Sequence, residues 1–438
     1  MSATVARVLA HIDDHRDDVI GFLQSLIRLQ PAGETAIQET VSSQMRAAGG
    51  AIDNHKYEPS SVPMVNEFAS GTNASVGERE SIVGTFTGSG GGQSLILFAH
   101  PDGEPIANTE RWERDPFAGV IEAGRLYGWG VADDLAGVAS AVSAMDAIKA
   151  AGIVLAGDVI VASTPSKRHA RGVSALLHDG YGADAAVYLH PAESGVGMNE
   201  IKAFASGQLE FTIDIAGKLP DTTEPGHTAF AHLAVNPLDK ALVLIGALKA
   251  LDEDRSTRVR HVLLHDAVGK SSNILISSVQ FGQHRAFSRL PVTLKMGGAI
   301  SFPPFEKLKD VQAEVEAALE EAINADAWLN EHRPVLTWVS GVTGAEVSES
   351  HPLYQAVSAA VTAVSGYVPH VNPMHTSSDI RNPMVQKGIP TVGLGPFCGD
   401  LTQTGRHDEW VDVEDYLRLV KVAAISIIGW CGVKEAGA

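Results

Sequence analysis

The sequence predicts a layered α/β fold with a second, α+β unit set into it. Two observations carry this prediction. Between residues 94 and 189 short apolar runs alternate with helical stretches, the order that gives a sheet with parallel members. From about residue 206 apolar and polar positions alternate strictly, the mark of half-exposed strands.

The elements follow in order. Val5, Leu9, Ile12, Val19, Phe22, Leu23, Leu26 and Ile27 recur at helical spacing, so residues 4–29 are predicted as one or two amphipathic helices. Residues 35–48 are predicted as another, ended by Gly49-Gly50. Residues 94–99 leave a Gly-rich turn as a short apolar run, a buried strand. A helix over 136–151, a strand over 158–162, a helix over 172–179 and a strand over 185–189 complete the α/β run. In the second unit residues 208–215 alternate as a strand. A helix over 236–251, strands near 272–280 and 290–296, a helix over 305–323 and a strand near 334–340 give one sheet with two helices. Residues 352–366 are helical, and α/β texture returns at 389–394. The expected domains are 1–205 with 345–438, and an inserted domain over 206–344.

Composition narrows the function. Among 438 residues, 45% hydrophobic and 19% charged is globular composition, not that of a disordered chain. A formal net charge of −19 repels phosphate backbones and anionic membrane surfaces, so neither nucleic acid nor membrane is an expected partner. Two cysteines exclude a disulfide framework and a Cys-rich zinc module. The first residues lack a signal-peptide pattern and no apolar run reaches the roughly 18 residues of a spanning helix, so a cytoplasmic location is expected.

Polar residues cluster where the predicted strands end, the place where open α/β sheets bind ligands. The first strand runs into His100-Pro101-Asp102, a Gly-rich turn leads to Asp133-Asp134, and the third strand runs into His190-Pro191. Two histidines and an aspartate at such ends can converge on one metal. Asp102, two residues after His100, suits the ring N–H that faces away from an ion.

His100-Pro101-Asp102, Trp112 to Phe117 and Gly128 to Asp134 together resemble the signature of the acetylornithine deacetylase, succinyl-diaminopimelate desuccinylase and carboxypeptidase G metallopeptidase family. Pro225-Gly226-His227 with Asn236 resembles its lid histidine segment, Thr376 to Arg381 its substrate turn, and Glu409-Trp410-Val411 the end of its last motif. The resemblance implies a zinc-peptidase-like catalytic domain with a mixed, largely parallel sheet, plus an inserted α+β sandwich lid that dimerises. It also implies a homo-oligomer built on that lid dimer.

The chain departs from this pattern at several positions. The family's adjacent glutamates, one the general base and one a ligand to a second metal, fall on Ser166 and Lys167, or on Lys167 and Arg168. The third-strand acid is His190, and the last histidine's place is Thr404 or Gly405, with His407 nearer Glu409. The resemblance therefore implies one divalent transition metal on His100, Asp133 and His190, with Mn, Zn, Co, Fe and Ni all compatible. Asp102, His227, His407 and Glu193 are the candidate catalytic residues, with Glu104 and His169 as further candidate bases. Arg381, Lys167, Arg168 and Ser378 are candidates for holding an anionic substrate.

The expected function is metal-dependent hydrolysis of a C–N bond in a small anionic substrate. Its most specific form is deamination of 5-nitroanthranilate to 5-nitrosalicylate with release of ammonia. The alternatives are an amidase, dipeptidase or N-acyl amino acid deacylase with a relocated base, and an inactive binding scaffold.

Overall fold

The structure, a computed structural model, describes residues 2–69, 77–191, 194–372, 379–399 and 408–434. The chain divides into two compact units. One comprises the chain up to Pro63, the stretch ending at Phe204 and everything from Glu346; the other runs Ala205–Ala345 and includes the segment beginning at Met64. Among the described residues no helix is long and apolar enough to cross a membrane.

The first unit is built on a mixed six-stranded sheet. Its parallel part runs Val159–Ser163, Leu95–Ala99, Ala185–Tyr188, Thr391–Gly393. Strands Arg79–Phe86 and Ala51–Tyr57 extend it antiparallel on the Val159–Ser163 side. Leu95–Ala99 is buried throughout, as expected of a parallel strand covered on both faces. Helices Glu34–Ala47 and Ala136–Ala150 pack on the sheet, and Ala3–Asp14 and Arg16–Leu29 pack on Ala136–Ala150. Ala136–Ala150 is small-residue-rich and buried nearly all round, so it packs closely. A Cβ at Gly137 would lie 1.8 Å from the Leu189 carbonyl oxygen, so only glycine lets this helix meet the strand end that leads into His190.

The second unit carries a five-stranded sheet, in the order Asn273–Phe281, Thr293–Phe302, Gly207–Ala216, Val335–Val342, Glu67–Ala69. The alternation of Gly207–Ala216 turns Leu209, Phe211, Ile213 and Ile215 inward. They meet Leu244 and Leu248 of helix Pro237–Arg258, and Val311, Val315 and Leu319 of helix Leu308–Ala325. Burial of such side chains stabilises by about 25 cal/mol per Å² of apolar surface.

Several elements differ from expectation. The strand expected over 290–296 is Thr293–Phe302, and the helix expected over 236–251 continues to Arg258. The strand's length follows its pairing partner: Thr293–Phe302 pairs with Gly207–Ala216 residue for residue over its whole length. Strand Ala51–Tyr57 was not anticipated, because only Tyr57 of its seven residues is buried and no apolar alternation marks it. Strand Arg79–Phe86 and the C-terminal helix Val413–Cys431 were likewise missed, although the helix packs on Ala136–Ala150 and Pro352–Ser365.

Candidate metal centre

Strand register brings the two histidines together. Phe98 pairs with Tyr188 in parallel register, and His100 and His190 each follow two residues later. Phe98 stacks on Tyr188 at 4.8 Å, and the His100 and His190 rings follow at 5.8 Å. On the other side of the central strand, Ala99 pairs with Ser163, so the loop carrying Ser166 and Lys167 leaves the same sheet edge.

Asp133 arrives from a different direction, on the loop before helix Ala136–Ala150. Gly130 opens this loop at φ +71°, a left-handed conformation in which a side chain would strain the backbone. Glu409 then fixes the loop: Gly130 N donates to its Oε2 at 2.8 Å, and Ala132 N and Asp133 N donate to its Oε1 at 2.7 and 3.0 Å. Glu409 is fully buried. Burial and the Asp133 charge push its carboxyl up to about 8, against the pull of the three amide donors.

Asp133 Oδ1 lies 2.9 Å from His100 Nε2 and 3.1 Å from His190 Nε2. The ligand atoms of His100, Asp133 and His190 fall within 4.8 Å of one another, and all three residues are buried. Both rings turn their other nitrogen to a backbone carbonyl. His100 Nδ1 is 2.9 Å from the Asp102 oxygen, and His190 Nδ1 is 2.9 Å from the Pro191 oxygen. That orientation leaves both Nε2 atoms directed at the shared carboxylate oxygen. Two imidazoles and one carboxylate around a common point fit a divalent transition metal.

The electrostatics follow from this packing. Burial alone would raise the Asp133 pKa, but His100 and His190 hold it well below the usual carboxylate range. Burial, then Lys202, lowers His190 to about 4, so the ring is neutral as a ligand requires. Burial disfavours a charged His100, yet the Asp102 and Asp133 carboxylates raise it well above its ordinary value. Burial and Asp133 raise the neighbouring Asp134 well above the carboxylate range.

The second oxygen of Asp133 has a different partner: Lys167 Nζ donates to Oδ2. The ammonium expected to hold an anionic substrate is thus bonded to a candidate ligand. Asp102 anchors the Lys167 loop. Ser166 N donates to its Oδ1 at 2.9 Å, Lys167 N to its Oδ2 at 3.0 Å, and Arg79 Nη2 to Oδ2 at 3.1 Å. The His100 ring N–H meets the Asp102 backbone oxygen, while the carboxylate Oδ1 is farther, at 3.4 Å.

Of the remaining candidates, Arg381, His227 and Glu104 have partners of their own. Arg381 is 4% exposed and donates through Nη1 to Asn382 Oδ1 at 2.9 Å. His227 belongs to the second unit, where its Nδ1 accepts from Ala229 N at 3.1 Å. Glu104 accepts Trp129 Nε1 at its backbone oxygen, and His169 is exposed. Ser378, His407 and Glu193 lie outside the described residues, as does the side chain of Arg168. Two participants were missed by sequence reasoning. Lys202, fully buried, reaches to 2.8 Å from His190 Nδ1. Its signal was a lysine inside the apolar run Ile201 to Ala205. Asp379, which the sequence places between Thr376 and Arg381 without a role of its own, meets Ser166 Oγ at 2.5 Å.

Comparison with known proteins adds to this geometry. The sequence model of Peptidase family M20/M25/M40 matches residues 96–427. N-formyl-4-amino-5-aminomethyl-2-methylpyrimidine deformylase of Halalkalibacterium halodurans is 25% identical over 467 residues, covering 99% of each chain. Succinyl-diaminopimelate desuccinylase of Caulobacter vibrioides is 25% identical over 411 residues, covering 92% of this chain and 93% of the other. Human carnosine dipeptidase 1 shares the fold with a TM-score of 0.66 at 15% identity, covering 98% of this chain and 99% of its own. The Bacillus subtilis YXEP protein, a dinuclear metal binding peptidase, does so with a TM-score of 0.60 at 14% identity, covering 95% and 99%.

Proposed function

Because the chain belongs to Peptidase family M20/M25/M40 and is a metal-dependent hydrolase of carbon–nitrogen bonds, we propose that it cleaves the amide bond of a small anionic N-acyl substrate at a site holding one divalent metal. His100, Asp133 and His190 hold the metal in this reading. When bound, such an ion polarises a carbonyl oxygen and eases deprotonation of water.

The observation that carries the single ion is the division of Asp133 between two kinds of partner. Oδ1 faces both imidazoles, while Oδ2 takes the Lys167 ammonium. A second ion bridged by Asp133 would have to displace that ammonium. In the dinuclear YXEP protein two metals are bound; here a lysine cation occupies one side of the candidate bridging carboxylate.

The names of the deformylase and desuccinylase favour a small acyl group on nitrogen as the bond cleaved. They give no support to deamination of 5-nitroanthranilate. We include in the proposal a cytoplasmic location and a homodimer formed through the unit over 206–344. Exposed Leu275 and Val279 on its edge strand Asn273–Phe281 support the dimer.

The test joins metal analysis to a substrate panel. Protein soaked in excess Mn²⁺ or Zn²⁺ and then desalted should retain one ion per chain. It should release amine from N-formyl or N-succinyl compounds and no ammonia from 5-nitroanthranilate. Two tightly held ions, or ammonia from the aromatic amine without any amide hydrolysis, would overturn this reading.

A further inference from the structure

We propose that Asp379, acting through the Ser166 hydroxyl, takes up the proton released when water attacks the substrate; this rests on the hydrolase reading above. The Lys167 loop itself offers no carboxylate: residues 164–172 are Thr, Pro, Ser, Lys, Arg, His, Ala, Arg and Gly. The structure brings one in from 213 residues away in sequence, with Ser166 Oγ donating to Asp379 Oδ2 at 2.5 Å.

Four other described carboxylates around the cluster, Asp133, Asp102, Glu409 and Asp134, have their own partners. Asp133 faces two imidazoles and Lys167. Both Asp102 oxygens accept backbone amides, and Arg79 adds a third donor. Both Glu409 oxygens accept backbone amides as well. Asp134 is buried and accepts from His100 N at 3.3 Å. Backbone amides cannot relay a proton without breaking the fold. A serine hydroxyl can, because it rotates and is both donor and acceptor. Of these carboxylates, Asp379 is the one whose bond toward the cluster ends on such a group.

The pair is also oriented. Asn382 Nδ2 donates to Asp379 Oδ1 at 2.9 Å, which leaves Oδ2 for Ser166. Arg381 Nη1 donates to Asn382 Oδ1 at 2.9 Å and so sets which end of that amide faces Asp379. On the other side, Ser166 N and Lys167 N are pinned to Asp102, and Lys167 Nζ to Asp133. Ser166 is half-buried, so its hydroxyl stays within reach of water.

The step balances. As the water oxygen bonds to the acyl carbon, a water proton passes to Ser166 Oγ and the Ser166 proton passes to Asp379 Oδ2. The same pair returns the proton to nitrogen as the C–N bond breaks, giving a carboxylic acid and an amine. Asp379 acts through Ser166 and is therefore a positioning and proton-accepting partner, not a group that touches the substrate.

The experiment uses full-length protein with Mn²⁺ and the best N-formyl or N-succinyl substrate of the panel. Asp379→Asn should lower kcat on the order of 10²-fold, with KM and calorimetric Mn²⁺ affinity within about threefold of wild type. Ser166→Ala should lower kcat too, and the double variant should be no slower than Asp379→Asn, because the two act as a unit. Asp379→Glu should recover part of the rate. Wild-type kcat in Asp379→Asn would overturn the proposal and leave the hydrolase reading intact. Parallel loss of kcat and Mn²⁺ affinity would reduce the pair to a structural tie. A wild-type enzyme that binds Mn²⁺ yet hydrolyses nothing in the panel would overturn the hydrolase reading, and this proposal with it.

Discussion

Lys202 Nζ lies 2.8 Å from Nδ1 of His190, on the side of the ring away from Asp133. The ring of a metal-bound histidine usually directs its far N–H at an acceptor, which raises the basicity of the ligating nitrogen. His190 has such an acceptor in the Pro191 oxygen at 2.9 Å, but a lysine nitrogen competes for the same atom. Burial and Lys202 together lower His190 to about 4.

Replacing Lys202 by Met removes the competitor and keeps the volume of the chain. Mn²⁺ should then bind more tightly, by roughly 10-fold, the lower end of what outer partners of a ligand control. Chelator competition on the metal-depleted protein measures this, with thermal unfolding alongside to register any loss of packing. Weaker binding with an unchanged melting temperature would mean that Lys202 supports the ligand instead of opposing it.

Asp102 gives a prediction with a pH sign. Burial alone would raise its pKa, but His100, the Ser166 amide and Arg79 hold it below the ordinary value. A carboxylate lowered in the folded state stabilises fully above its unfolded pKa of about 3.9, and that contribution is lost as pH falls through the lowered value. Asp102→Asn puts an NH₂ against the amide of Ser166 or Lys167. It should cost on the order of 10–100-fold in metal affinity. Between about pH 5 and pH 3, where His100 is charged in both folded and unfolded protein, the stability gap between wild type and variant should shrink as pH falls. Urea unfolding across that range reads it, and a gap that widens in acid would contradict the assignment.

The sequence made the α/β run and the candidate metal trio legible for a physical reason. Buried parallel strands are short apolar runs, and the residues that follow them gather at one sheet edge, so the sequence alone puts His100 and His190 side by side. Asp133 needed only its Gly-rich turn. What stayed hidden depends on side chains that meet across long sequence distances. Lys202 reads as an ordinary lysine until the fold buries it beside His190. Ser166 reads as a lost catalytic position until Asp379, just ahead of helix Arg381–Lys387, meets its hydroxyl. Lys167 suggested a substrate anchor, because its charge was visible in the sequence and its bond to Asp133 was not. The edge strand Ala51–Tyr57 was missed because it is mostly solvent-facing and needs no apolar pattern.

Glu409 gives the last prediction. Its Oε1 accepts from Ala132 N and Asp133 N, and its Oε2 from Gly130 N. A glutamine has one acceptor oxygen, so in either orientation of its amide an NH₂ group faces at least one buried backbone N–H. Leaving a buried donor unsatisfied costs about 1–3 kcal/mol. Glu409→Gln should therefore lower stability by about that amount in urea unfolding of the metal-free protein at about pH 4, where the carboxyl is uncharged folded and mostly uncharged unfolded, so that the comparison is of hydrogen bonds. Because the three amides belong to the turn that aims Asp133, Mn²⁺ affinity should fall in the same variant. The two losses should appear together, since both follow from the same displaced backbone. A variant that unfolds earlier yet binds Mn²⁺ as wild type does would show that the turn holds Asp133 without this clamp, with the Asp133 side chain positioned by His100, His190 and Lys167 alone.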